Sequence, residues 1–518
     1  MSMSLTSFPV ELIDQIVDGV DNPERLGTLN NFALCSHTFN SFVTPHLYSH
    51  ISLPYTKGQE SYDDLQTNFK HLRPFTKLML ENPYLASLVH SFTLRPYFYT
   101  PEYDMYGEED EEKSRRETSE NEDSPRVVVE DVFRSAIKAS AHSEREEAAW
   151  LRALEDGYND DAVLALLLPA LPNLRRLDLM LSFPSKYYWR MLERAAKNEK
   201  PFDTNPAFPA LTDIMNTDWD TKHGMSCDAL ARYLALPAVK SIYAHLVGDS
   251  GGSELATLPS ASSRVTHLEL READVPGPYV KDMLRAIATL KTFIYEKGWG
   301  HFSYEPWTIP DIETALVPHR SSLENLWLDW ADDDGSGRTY WAAMAEDLSP
   351  ISLNHFKILK HVRIAMTFIF DLTPEMNSVN EGTNETEKDF QKEETTALIQ
   401  RLPPTIEKLH IAHTNQHVRL LLSSLRLLLS QREQHTPRLR ELSFDAAFHG
   451  DRYHFGHDVD EVEGLAEEKG VILEMFDTTE VVGKLGLGMD GDIPMELERG
   501  YGTLAFQKIE PKRKDNRD

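Results

Sequence analysis

Cysteine is nearly absent: Cys35 and Cys227 are the only two in 518 residues. So sparse a pair supports neither a disulfide framework nor a cysteine-based zinc site, and fits a reducing compartment, cytoplasmic or nuclear. No run of eighteen apolar residues occurs, so no helix is expected to cross a membrane. The opening MSMSLTSFPVELID lacks a basic segment followed by an apolar one, so no secretory signal is expected. Positive charge is short as well, with 53 Lys and Arg against 83 Asp and Glu, a net charge of −30. A surface this acidic repels phosphate backbones, which argues against nucleic acid, and it favours a basic protein partner. No glycine-rich phosphate loop follows the first strand, which argues against a doubly wound nucleotide-binding domain.

Patterns that carry chemistry are equally thin. Gly248–Gly252 spells GDSGG, as in chymotrypsin-like proteases, but no histidine base in a recognisable setting accompanies it and a flexible loop explains it. Gly483–Gly488 forms a GxxGxG outside any strand–helix unit. His410, His413 and His417 straddle a strand end and a loop. His449, His454 and His457 cluster without a cysteine or a clear carboxylate set, so no metal or other cofactor is expected. Asp332–Gly335 lacks the spacing and the closing glutamate of a calcium loop. No catalytic constellation emerges, and the chain is expected not to be an enzyme.

What is present is repetition. Ten segments share the form apolar-x-x-apolar-x-apolar, from VHSFTL at Val89 through LENLWL at Leu323 to LRELSF at Leu439. The first two begin 85 residues apart and the rest 25 to 47 apart, with helical patterns such as YVKDMLRAIATL between them. Short strand, then helix, many times over predicts parallel strands with right-handed crossovers. The kernel resembles that of leucine-rich repeats, in which each repeat covers its neighbour's core. The asparagine that usually follows the kernel is missing almost throughout, so the repeats are irregular. Residues 85–476 are assigned to this array, with an acidic insertion at 102–125 that is expected to be disordered and a polar one at 378–394. Stretch 102–124 alone holds eleven acids against three bases.

Ahead of the array, residues 5–53 predict three short helices. Leu12, Ile13, Ile16, Val17 and Val20 form the first apolar stripe, and Leu26, Leu29, Phe32 and Ala33 the second. Ser36 is placed to cap a third helix with Phe39, Phe42 and Val43, and Pro45 to bend the chain afterwards. Cys35 reads as a small core residue. The pieces FPVELI at Phe8–Ile13, LGTLNNFALCSHTF at Leu26–Phe39 and LYSHI at Leu47–Ile51 resemble an F-box, although Pro45-His46-Leu47-Tyr48 stands where that family often ends in a tryptophan. Together the two resemblances are to F-box proteins with irregular leucine-rich repeats, a combination common in fungi. They imply an α/β chain, a three-helix module followed by a solenoid, acting as substrate receptor of an SCF-type cullin–RING ubiquitin ligase. The implied partners are the ligase adaptor, through it a cullin, and a protein substrate. The adaptor-binding residues implied are Phe8, Pro9, Leu12, Ile13, Ile16, Leu34, Cys35 and Phe39. The alternative is a repeat scaffold without a role in ubiquitination. Residues 54–84 are assigned to a helical linker and 477–518 to a C-terminal extension with a loose tail.

The kernel also predicts a recognition face. Its second and third apolar positions point inward, so the residues flanking them point the other way, by the period of two. That selects Tyr243, Glu269, Arg271, Trp327, Asp329, Arg363 and His410, with His267 among them, as candidate substrate contacts. Trp327 is the expected anchor on an open face, and Trp219, Trp299 and Trp330 are expected at one rim.

Overall fold

The computed structural model describes residues 25–53, 62–94, 127–155, 159–180, 185–217, 225–248, 253–298, 308–330, 349–372, 392–414, 417–446, 452–484 and 504–508. Phe8, Pro9, Leu12, Ile13 and Ile16 lie outside them, as do Trp219, Trp299, the insertion 102–125 and most of 378–394. The chain divides into two compact units, residues 1–219 with 236–239 and residues 220–235 with 240–518.

The first unit carries four parallel strands in sequence order: β1 (His50–Leu53), β2 (Ser91–Leu94), β3 (Arg176–Met180) and β4 (Asp213–Thr217). His50, Ser91, Arg176 and Asp213 stand in one register. Helices Arg25–Cys35 and His37–Ser49 precede them as a hairpin. Ser36 caps the second helix by accepting the Phe39 N–H at 3.1 Å. Pro45 does not end that helix, which runs on to Ser49. Its last turn is held where the His90 N–H donates to Ser49 O at 2.9 Å. Cys35 is exposed rather than core, its thiol reaching Asn31 O at 3.2 Å.

Two further expectations change here. Helix Tyr62–Glu81 is not a mere linker: Leu72, Thr76 and Met79 are buried, and Arg73 donates to Leu154 O and to Glu130, both at 3.0 Å. The long gap between the first two kernels also holds helices Asp131–Ser140, Glu144–Glu155 and Asp160–Leu167, beyond the acidic insertion. Phe133, Trp150 and Leu164 are buried in this helical layer.

Among its described residues the second unit contributes nine strands to a long sheet, β5 (Ser241–His245), β6 (His267–Ala273), β7 (Thr292–Lys297), β8 (Asn325–Trp330), β9 (His361–Ala365), β10 (Lys408–Ala412), β11 (Glu441–Ala446), β12 (Ile472–Lys484) and β13 (Leu504–Lys508), besides a small separate sheet that pairs Met225–Ser226 with Val247–Gly248. They pair in sequence order, all parallel except the antiparallel final pair. β12 therefore carries the sheet past residue 476 into the C-terminal extension, of which residues 477–484 and 504–508 are strand.

Each kernel contributes its third residue onward as a strand. Its three apolar positions are buried, as Leu323, Leu326 and Leu328 are. The backbone repeats as faithfully. The carbonyl of a kernel's second residue accepts two N–H groups from the next repeat: Lys240 O takes Thr266 and His267 at 2.8 and 3.0 Å, and Lys360 O takes Glu407 and Lys408 at 2.7 and 3.0 Å. This fork locks neighbouring repeats in register without the asparagine of regular repeats. β6 carries a bulge between Leu270 and Ala273, with Glu272 at φ 46. Gly298 is required beside it, because a Cβ there would lie 2.4 Å from Glu272 Cα.

Candidate functional site

Alternation along the strands of the second unit sets one row of side chains on the face opposite the kernel core. Trp327 on β8 pairs with Ile294 on β7 and Arg363 on β9. Arg363 pairs with His410 on β10, His410 with Ser443 on β11, and Ser443 with Glu474 on β12. One step further along the strands lie Glu296, Asp329 and Asp445.

Trp327 is the centre of this row. The guanidinium of Arg271 sits 4.0 Å from its ring centroid and that of Arg363 4.6 Å. Cations so placed over an indole are worth about 1–2 kcal/mol each when desolvated. Glu269 accepts from Arg271 Nε at 2.7 Å, and Glu296 lies 3.9 Å from its Nη1. Asp329 collects the other side: Trp327 Nε1 donates at 3.1 Å, Arg363 Nε at 2.7 Å and the Trp330 N–H at 3.0 Å. His413 Nε2 lies 2.6 Å from Asp329 Oδ1 and 3.2 Å from Trp330 O. Both neighbours are acceptors, so Nε2 bears the proton. Burial alone would raise Asp329, but the charges and hydrogen bonds of His413 and Arg363 outweigh it and hold the carboxyl far below the usual range. Asp445 is likewise held down against burial, first by its hydrogen bond with His410.

His410 links the next strand. Its Nε2 is 3.2 Å from Asp445 Oδ2 and its Nδ1 is 2.8 Å from Ser443 Oγ. Burial, with Arg363 beside it, pushes His410 below its ordinary value and so keeps the ring neutral. Nε2–H then donates to the carboxylate and Nδ1 accepts from the serine hydroxyl. Hydroxyl, imidazole and carboxylate stand in the order of an acyl-transfer relay. Such a relay also needs N–H donors for an oxyanion, and Ser443 is a mid-strand residue laddered to both β10 and β12. The chain of bonds therefore acts as a cross-strand tie.

The predicted face thus brings Glu269, Arg271, Trp327, Asp329, Arg363 and His410 together, but it is not an open one. Trp327 is only 5% exposed because two guanidinium groups cover its ring, and Glu269, Arg271 and Asp329 are fully buried. Trp330 is equally packed, its Nε1 donating to Thr367 Oγ1 at 2.8 Å and its ring 5.3 Å from Phe368. Tyr243 is half-buried against His267, with ring centroids 4.8 Å apart. Arg363, His410, Ser443 and Phe476 keep part of their surface. On the N-terminal hairpin Leu34 is 84% exposed, Cys35 is exposed and Phe39 is half-buried. Glu296, Ser443 and Asp445 were not among the predicted contacts, although Ser443 is the fifth residue of its kernel and Glu296 and Asp445 follow theirs directly, the positions of Trp327 and Asp329 in the kernel at Leu323; applying the period of two to every strand reaches them. His413 could not be found so, since it sits at φ 57 where the strand has ended.

Compared with known protein families, residues 66–447 match the leucine-rich repeat domain. The match spans well over half of the chain, which belongs to that family. No curated protein matches the chain. Domains of this family are protein-interaction modules. No helix among the described residues is long and apolar enough to cross a membrane.

Proposed function

We propose that the chain is a non-enzymatic substrate receptor of an SCF-type cullin–RING ubiquitin ligase. Its N-terminal helices dock on the ligase adaptor, and its repeats hold a protein substrate near the charged conjugating enzyme, so that transfer becomes effectively intramolecular. The observation that carries this reading is Leu34. Among the described residues the hairpin Arg25–Ser49 has a core of Leu29 and Val43, flanked by Phe32, Phe42 and Leu47, and Leu34 is 84% exposed beside the exposed Cys35. A leucine left in water on a module with so small a core fits a surface that a partner covers.

The test is co-precipitation of adaptor and cullin with the full chain. Leu34→Asp and Ile13→Asp are expected to abolish adaptor capture, and Leu34→Asp keeps the unfolding free energy within about 0.5 kcal/mol of the parent, as for an exposed site. Undiminished capture by both variants overturns the docking assignment. The family match covers the repeats and not the hairpin, which favours a second reading, a repeat scaffold outside ubiquitination. Adaptor recovered without cullin would select it.

A further inference from the structure

The N-terminal edge of the second unit's strands is basic in a chain whose net charge is −30. The second kernel positions supply Lys240, Lys291, Lys360 and Arg440; the first three stand at forked carbonyls, and the Arg440 carbonyl accepts the Ile472 N–H. Arg264 and Arg438 stand just before their kernels, two residues before the second position, and Lys408 one residue after it. Arg320 and Lys357 adjoin, joined by the Lys357 N–H donating to Arg320 O at 2.8 Å. Against these nine bases the same positions hold three carboxylates, Glu324, Glu407 and Glu441, leaving 9 − 3 = 6 positive charges. Glu324 is engaged by Lys360 at 2.8 Å and Glu441 by Lys408 at 2.8 Å. The opposite ends of the strands are acidic, with Glu269, Glu296, Asp329 and Asp445 exceeding Arg271 and Arg363. The charge is thus segregated along the strand direction.

A second feature coincides with the first. Among the described residues of this unit the exposed large apolar side chains are Val317, Ile358 and Ile472, at 40, 37 and 60% exposure. Val317 opens a short 3-10 helix ahead of β8, Ile358 lies in the bend before β9, and Ile472 is the first residue of β12. Ile358 stands between Lys357 and the buried Leu359, and Ile472 donates its N–H to Arg440 O at 2.8 Å. Apolar groups thus join the bases on the β8 to β12 part of this edge.

We propose that this edge binds an acidic, apolar-studded segment of a partner protein. The inference deepens the protein-binding reading above and rests on it, and it replaces the basic substrate that net charge alone favours. Adjacent strands are about 4.8 Å apart, so the edge from β5 to β12 is about 34 Å long, the reach of about ten extended residues. Screening confines charge effects to about 8 Å at physiological salt, so the local positive edge rules at contact while the acidic remainder repels long polyanions. Phosphate polymers would also leave Ile358 and Ile472 uncovered.

The test is fluorescence anisotropy on the full chain with three labelled probes. One is a peptide of about ten Glu and Asp residues with two leucines among them. The second has glycine in place of the leucines, and the third is single-stranded DNA of about the same length. The leucine-bearing peptide is expected to bind best, with affinity falling as salt rises. The joint variant Lys357→Glu, Arg438→Glu, Arg440→Glu should lose about tenfold or more, and Ile358→Ser with Ile472→Ser should reduce binding to that of the glycine probe. Circular dichroism melts establish that each variant folds. Absence of binding by the parent, equal binding by the charge-reversed variant, or tighter binding of DNA overturns the proposal. Adaptor and cullin capture is read on the N-terminal hairpin, so the ligase reading and this one fail separately.

Discussion

Trp327 and Leu34 invert the ordinary expectation for their types. The tryptophan set on the outer face of a sheet is 5% exposed, and the leucine in a helix is 84% exposed. Trp327→Ala should therefore act first on stability, by about 3–5 kcal/mol, since it empties the gap between two guanidinium groups and frees Asp329 of one donor. Urea unfolding measures this, and an unchanged midpoint would return Trp327 to the role of a surface anchor. Asp160 in the first unit is a different liability. Its Oδ2 has no hydrogen-bond partner among the described residues, and burial with Asp161 alongside pushes it up to about 8. Its folded value lies above its unfolded one, so the folded state holds the proton more tightly. The associated stability is complete below about pH 4 and is lost as pH rises through about 8. Asp160→Asn should raise stability by about 2 kcal/mol at pH 8 and change little at pH 4. Melts at the two pH values decide it; an equal shift at both contradicts the assignment.

Between strands, the charged row is a set of ties that join a strand to the next or to the one beyond. Asp329 joins β8 to β9 through Arg363 and to the end of β10 through His413. Removing its charge leaves buried cationic groups short of a partner. Asp329→Asn should cost about 3 kcal/mol at pH 7. The folded Asp329 titrates below its unfolded value, so its contribution is present above about pH 4 and lost as pH falls further. The asparagine variant should accordingly show a shallower loss of stability between pH 5 and pH 3 in urea titrations. A variant with the parent's acid limb would place that acid sensitivity elsewhere.

For the molecule as a whole, the repeat arrangement makes cohesion a matter of neighbours. In the second unit each kernel core is closed by the next, so a cavity is felt nearby and fades with strand separation. Leu328→Ala, at a fully buried position, should cost about 3 kcal/mol. Hydrogen exchange should lose most protection in β7, β8 and β9 and least in β5 and β12. Uniform loss over all these strands would mean that the unit opens as one. Net charge is likewise a poor guide at this scale, since a chain of −30 presents a basic edge where nine bases gather.

The kernels were legible because burial of three apolar residues at fixed offsets is a local demand: each of the ten became a strand, from Ser91–Leu94 to Glu441–Ala446, and the intervening amphipathic patterns became helices. Ser36 was legible as a cap for the same reason, its bond to Phe39 lying three residues away. The membership of the charged row followed from the period of two. Whether that row faces water did not, because exposure depends on groups one or more strands away: Arg271 and Arg363 reach Trp327 from 56 and 36 positions away in the sequence. Helix Tyr62–Glu81 looked like a linker because its partners, Glu130 and Leu154, lie beyond the acidic insertion. The basic edge was invisible for a related cause. Its members come singly, one or two per repeat, and only the parallel register of the strands stacks them into a row.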